Sequence, residues 1–276
     1  MTEKAIKINT IEISSKDFYR LSIQISLNGL SFCMLDTVAN TVLVAEKITF
    51  PKELDPHQVL KEVKQLFEKH DIKQTSYSEV IVLHRNNLFS LVPRPLFNSD
   101  ELANYLKFNA KILANDHIDY DEMEGYDMVT VYVPFVNINN YIYDLFGEFV
   151  FKHYTTVMVQ SLLNDQAQGK EPVCYVYLSK QEMDITVIAN KKLVLFNSFD
   201  YSTTEDFLYY LLFTLEQLQL DTEHIQLKLF GAVEERDPIF KSCYEYLKNV
   251  SLYTPSNNAT FSNIPHDIDF TVLNAL

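Results

Sequence analysis

Leu21–Phe50 reads LSIQISLNGLSFCMLDTVANTVLVAEKITF, and Val173–Tyr201 reads VCYVYLSKQEMDITVIANKKLVLFNSFDY. Each stretch is three short apolar runs split by polar turns, and each leads into an amphipathic segment. In the first, Leu21, Ile23, Ile25 and Leu27 alternate with polar residues, the period of a half-buried strand. Asn28-Gly29 is a two-residue hairpin signal, Leu30–Leu35 returns as the second strand, and Thr41–Phe50 is the third. Asp55-Pro56 marks a helix start, a capping carboxylate followed by proline at the first position. Val59, Leu60, Val63, Leu66 and Phe67 share one face of that helix, and Lys61, Glu62, Lys64 and Glu68 the other. Glu79–Leu83 follows as a compact β-branched strand.

The second stretch repeats this order. Strands are expected at Val173–Leu178, Asp184–Ala189 and Leu193–Phe199. Ser202 with Glu205 reads as a capping box, starting a helix over Thr203–Leu220. Ile225–Phe230 matches the Glu79–Leu83 strand, and Asp237-Pro238 opens a further helix carrying Ile239, Phe240, Cys243 and Leu247 on one face. Two βββ–α–β units in one chain indicate an internal duplication.

Between the units, Leu88–Val92 is expected to form a hairpin with Glu79–Leu83, and Asn98–Phe108 a short helix. An acidic loop follows, then a strand at Met128–Val133, a helix through Ile138, Ile142, Leu145 and Phe146 stopped by Gly147, a strand at Phe149–His153 and a helix at Thr155–Leu163. The polar run Asn164–Glu171 is the expected hinge. The chain therefore divides into a first lobe over 1–170 with an inserted subdomain over about 85–127, a second lobe over 171–253, and an irregular tail over 254–276. The tail's Phe270-Thr271-Val272-Leu273 is expected to pack back on a lobe.

Composition narrows the function. The net charge is −14, with 37 acidic against 23 basic residues, and no Lys/Arg stripe overrides it, which argues against nucleic acid and anionic membrane as partners. The longest dense apolar stretch, Phe207–Leu215, falls short of the ~20 residues of a membrane span, and MTEKAIKINT has no apolar export core. Cys33, Cys174 and Cys243 are odd in number and each lies in an apolar run, as buried reduced thiols of a cytoplasmic protein would. Five glycines are present where average usage gives roughly nineteen. They are isolated, so the chain lacks a Walker loop, a Rossmann turn and a kinase glycine loop.

Two βββ–α–β units with an enlarged first copy resemble the actin-like ATPase superfamily, which includes actin, Hsp70 and sugar kinases. The likeness is greater to its PilM and FtsA branch. It rests on Leu91-Val92-Pro93, then Asp100-Glu101-Leu102, an acidic stretch, and Val129-Thr130-Val131-Tyr132-Val133-Pro134. The chain is also similar to a domain-of-unknown-function family of Bacteroidetes grouped with those ATPases. The resemblance implies an α/β fold of α+β character: a duplicated βββαβ(α), actin-like and ribonuclease H-like two-lobe fold with a small inserted subdomain in the first lobe. It also implies where a nucleotide would lie. Ser26, Asn28, Gly29 and Ser31 stand nearest the first phosphate hairpin, Tyr177, Ser179 and Lys180 nearest the second, and Gly231 of Phe230-Gly231-Ala232 at the adenosine turn. The superfamily's carboxylates are missing from both hairpins, and one glycine of the Gly-Gly turn is gone.

Other constellations have simpler explanations. Asp116, Asp119, Asp121, Glu122, Glu124 and Asp127 crowd a short segment, but Glu124 occupies the sixth position, where a calcium loop needs glycine, so a solvated acidic loop is expected. The seven histidines never fall at metal spacing. His84-Arg85 at a strand end is the most site-like pair, yet a turn completed by Asn86-Asn87 explains it equally. Tyr141, Tyr143, Tyr209 and Tyr210 either pack in the core or extend a partner surface. The expectation is thus a cytoplasmic, non-catalytic scaffold that needs no cofactor or metal and binds protein. Its partner is a peptide segment of a membrane protein, as the PilM and FtsA likeness implies, or a second copy. The alternative is a divergent ATPase or switch binding ATP and Mg at Ser26, Asn28, Gly29, Ser179, Lys180 and Gly231.

Overall fold

A computed structural model describes residues 18–108, 110–113, 115–166, 171–255 and 268–276. Part of the expected hinge and much of the expected irregular tail lie outside these residues. The chain divides into two compact units, one of residues 1–160 and 257–276 and the other of 161–256.

In the first unit, β1 (Tyr19–Ile25), β2 (Gly29–Asp36), β3 (Thr41–Thr49), β4 (Glu79–His84) and β8 (Val150–His153) form one sheet, ordered β3-β2-β1-β4-β8. The first three strands are antiparallel, and β4 runs parallel to both β1 and β8. One face is covered by α1 (Pro56–Lys69) and α3 (Val136–Phe146), whose apolar stripes meet Leu21, Ile23, Ile25, Leu30 and Phe32. Full burial of each such side chain contributes about 1.5–3 kcal/mol. Asp55 caps α1, accepting from the N–H groups of His57 and Gln58 at 2.9 Å, while the Gln58 side chain accepts from the Asp55 N–H at 3.1 Å. Gly147, at φ +74°, ends α3.

The other face of this sheet presents Ser22, Gln24, Cys33, Leu35, Val42 and Ala45. A short C-terminal helix, α7 (Phe270–Asn274), lies against β1 and β2 there, with Ile268 and Val272 packed on Cys33 and Leu35. Thr271 bonds the Gln24 side chain, and Asp269 pairs with Lys47 at 3.1 Å.

The inserted segment forms its own sheet, β5 (Phe89–Pro93), β7 (Met128–Tyr132) and β6 (Asp119–Glu122), with α2 (Leu102–Leu106) packed on it. This corrects two expectations. β5 pairs with β7, not with β4, because both edges of β4 are already taken by β1 and β8. The acidic run is no simple solvated loop, since Asp119–Glu122 is a strand whose Asp121 side faces inward.

The second unit repeats the first sheet as β11-β10-β9-β12-β13, from β9 (Val173–Leu178), β10 (Glu182–Ala189), β11 (Lys192–Asp200), β12 (Gln226–Gly231) and β13 (Asn249–Leu252). Its core is closed by α5 (Thr204–Gln217) and α6 (Pro238–Tyr246), while α4 (Tyr154–Asp165) spans the division between units. The duplication reaches irregular detail. The register shifts between Met34 and Leu35 in β2 and at the matching place, between Val187 and Ile188, in β10. The α5 cap is Thr203 with Asp206, one residue later than the Ser202–Glu205 box expected, since Ser202 gives its N–H to Asp206.

Candidate functional site

The residues that could meet a nucleotide lie on two turns, each closed by the N–H and hydroxyl of its own serine. In the first, the Ser26 N–H donates to the Gly29 carbonyl at 3.0 Å and its hydroxyl donates to the same oxygen at 3.1 Å. The Asn28 N–H in turn donates to Ser26 Oγ at 3.2 Å. In the second, the Ser179 N–H and hydroxyl donate to the Glu182 carbonyl at 2.9 and 3.1 Å, and the Glu182 N–H returns to Ser179 Oγ at 3.3 Å. Each turn is then tied to the end of the third strand, Phe50 N–H to the Asn28 carbonyl and Tyr201 N–H to the Gln181 carbonyl. A serine that closes its own turn has used its donors locally. The turn residues proper are Leu27-Asn28, neither at positive φ, so Asn28-Gly29 is not the primed hairpin pair its sequence suggested. Lys180 is exposed at the tip of the second turn.

Both glycines have steric reasons to be glycine. A Cβ on Gly29 would stand 2.4 Å from the Ile48 carbonyl oxygen of β3. Gly231, at φ +89°, lies beside β9, and a Cβ there would stand 2.3 Å from the Leu178 oxygen and 2.8 Å from the Tyr177 ring. The Ala232 N–H donates to that same Leu178 oxygen at 2.7 Å, which binds Gly231 to the strand leading into Ser179. Ser26, Asn28 and Gly29 thus form one group in the first unit, and Ser179, Lys180 and Gly231 another in the second.

In the first unit His84 stands where Gly231 stands in the second, each paired with the last residue of the leading strand, Ile25 or Leu178. His84 is fully buried, accepts from the Phe135 N–H at Nδ1 (3.2 Å) and meets the Asn139 Oδ1 at Nε2 (3.0 Å). Burial lowers its pKa to about 3, so the ring is neutral at physiological pH. His153, its neighbour across β4–β8, places Nε2 3.1 Å from the Asn86 carbonyl and is likewise held well below its ordinary range by burial. Arg85 lies over the Tyr154 ring, with its guanidinium carbon 4.4 Å from the centroid. The His84-Arg85 pair is therefore part of the buried body of the unit.

Beside it lies Asp121, which sequence reasoning left in solvent. Its Oδ1 accepts from the Tyr132 hydroxyl at 3.0 Å, and Oδ2 accepts from the His153 N–H and the Thr156 hydroxyl, each at 2.7 Å. The carboxyl so holds the inserted sheet to the first turn of α4, where a negative charge is favoured. Burial raises its pKa to about 6, partly opposed by these hydrogen bonds. The signal available in the sequence was the alternation Ile118, Tyr120 around Asp119 and Asp121, masked by the density of acids. The thiols of Cys33, Cys174 and Cys243 are each pushed up to about 12 by burial, far from a nucleophile's range. Among the described residues no group of three or more His, Cys, Asp or Glu is placed to hold a metal ion, and no helix is long and apolar enough to cross a membrane.

The profile of the family described as "Protein of unknown function (DUF3822)" matches residues 8–250. The chain belongs to that family. Among solved structures, this DUF3822 chain is similar to a Bacteroides thetaiotaomicron protein with actin-like ATPase fold and unknown function. The two are 23% identical with a TM-score of 0.75, over 91% of this chain and 96% of that one. It is also similar to a chain of the PilM–PilN type IV pilus biogenesis complex, at 12% identity and a TM-score of 0.62 over 93% and 97%. The ethanolamine utilization protein EutJ of Carboxydothermus hydrogenoformans matches at 9% identity and a TM-score of 0.50, over 98% and 91%. No curated protein matches the chain. The fold is accordingly actin-like, with the duplicated sheet as its frame.

Proposed function

We propose that this DUF3822 protein is a non-catalytic member of the actin-like fold that works by binding protein. The observation that carries the reading is the bonding of the two turns. Where phosphate oxygens would need inward-facing N–H and hydroxyl donors, Ser26 and Ser179 donate to carbonyls of their own turns. The first hairpin turn, Ser26-Leu27-Asn28-Gly29, has no carboxylate to orient a hydrated Mg²⁺, and Gly29 and Gly231 are accounted for by neighbouring backbone. The residues present do not fit the phosphates of ATP. A partner is the remaining use of such a frame, and one chain of like fold is found in the PilM–PilN complex. By that likeness the partner is a peptide segment of another protein, and the setting we propose is the cytoplasm.

Titration calorimetry tests this directly. Mg-ATP added to millimolar concentration is expected to give only heat of dilution. Saturable binding that Lys180→Ala weakens would sink the reading and leave a divergent ATP-dependent switch. Lys180 is the right position to vary, because it is exposed and its loss spares the fold.

A further inference from the structure

We draw no further inference here: the strongest candidate, the exposed aromatic row that Tyr209 and Phe213 make on the outer face of α5, with Tyr210 joining it to Phe199 of β11, is an apolar surface patch, and nothing in the structure shows what covers it.

Discussion

Replacing Gly231 with alanine asks whether that glycine serves the packing of β9 or a ligand. The new Cβ would stand 2.3 Å from the Leu178 oxygen, a backbone atom fixed by the Ala232 N–H and by the β9–β12 pairing, so it cannot withdraw cheaply. Its backbone at φ +89° adds strain for any L side chain. Strain of about 1–3 kcal/mol and overpacking of about 1–3 kcal/mol together give a loss of roughly 2–6 kcal/mol. Two other glycines separate the terms. Gly125, at φ +81° with nothing within 4 Å of a Cβ, has only the strain. Reduced unfolded-state entropy offsets that by about 0.4–1 kcal/mol. Gly29 has only the clash, 2.4 Å to the Ile48 oxygen, and its alanine variant should lose about 1–3 kcal/mol. Urea unfolding gives the magnitudes, and hydrogen exchange resolves where they fall, with Gly231→Ala loosening residues 161–256 first. A Gly231→Ala chain within about 0.5 kcal/mol of wild type would refute the packing account and return that turn to the list of ligand sites.

Asp121 makes stability depend on pH. Its folded pKa of about 6 lies above the ordinary 3.8, so the folded chain holds a proton that the unfolded chain releases between those values. The stability this carboxyl contributes is complete below the unfolded value and lost as pH rises through the folded one, about 2–3 kcal/mol in all. The difference in unfolding free energy between wild type and Asp121→Asn should change by that amount across the window, with the buried histidines cancelling because both proteins carry them. A flat difference would contradict it. Thiol titration reports on α7: Cys33, Cys174 and Cys243 should resist a disulfide reagent in the native chain, and removal of residues 268–276 should make Cys33 alone reactive. Unchanged protection of Cys33 would mean that α7 is not its cover.

The frame was legible because strands and helices advertise themselves locally. Leu21, Ile23 and Ile25 alternate, and Asp55-Pro56 and Asp237-Pro238 mark helix starts that the structure keeps. What was not legible depended on partners distant in the chain. Whether β5 could join β4 turned on β8, which arrives about sixty residues later and fills the open edge. Asp121 looked like one acid among many, and only its meeting with Tyr132 and Thr156 distinguishes it. The turns failed differently. Asn28-Gly29 carried a strong local signal, but Gly29 is needed where β3 crosses it, and the bend fell one residue earlier. For the candidate site the residues were identifiable, while the spending of their donors was not, because a serine's choice of acceptor is a matter of geometry.

The short helix over Cys33, Leu35, Val42 and Ala45 also sets a schedule. Ile268 and Val272 leave the ribosome after the whole of the second unit, so the first sheet must emerge with one side uncovered and wait. Domains generally fold in order of synthesis, but here the earlier unit can be completed only after the later one is made. During translation the exposed Cys33–Ala45 side is the surface on which a chaperone, or a neighbouring nascent chain, would act.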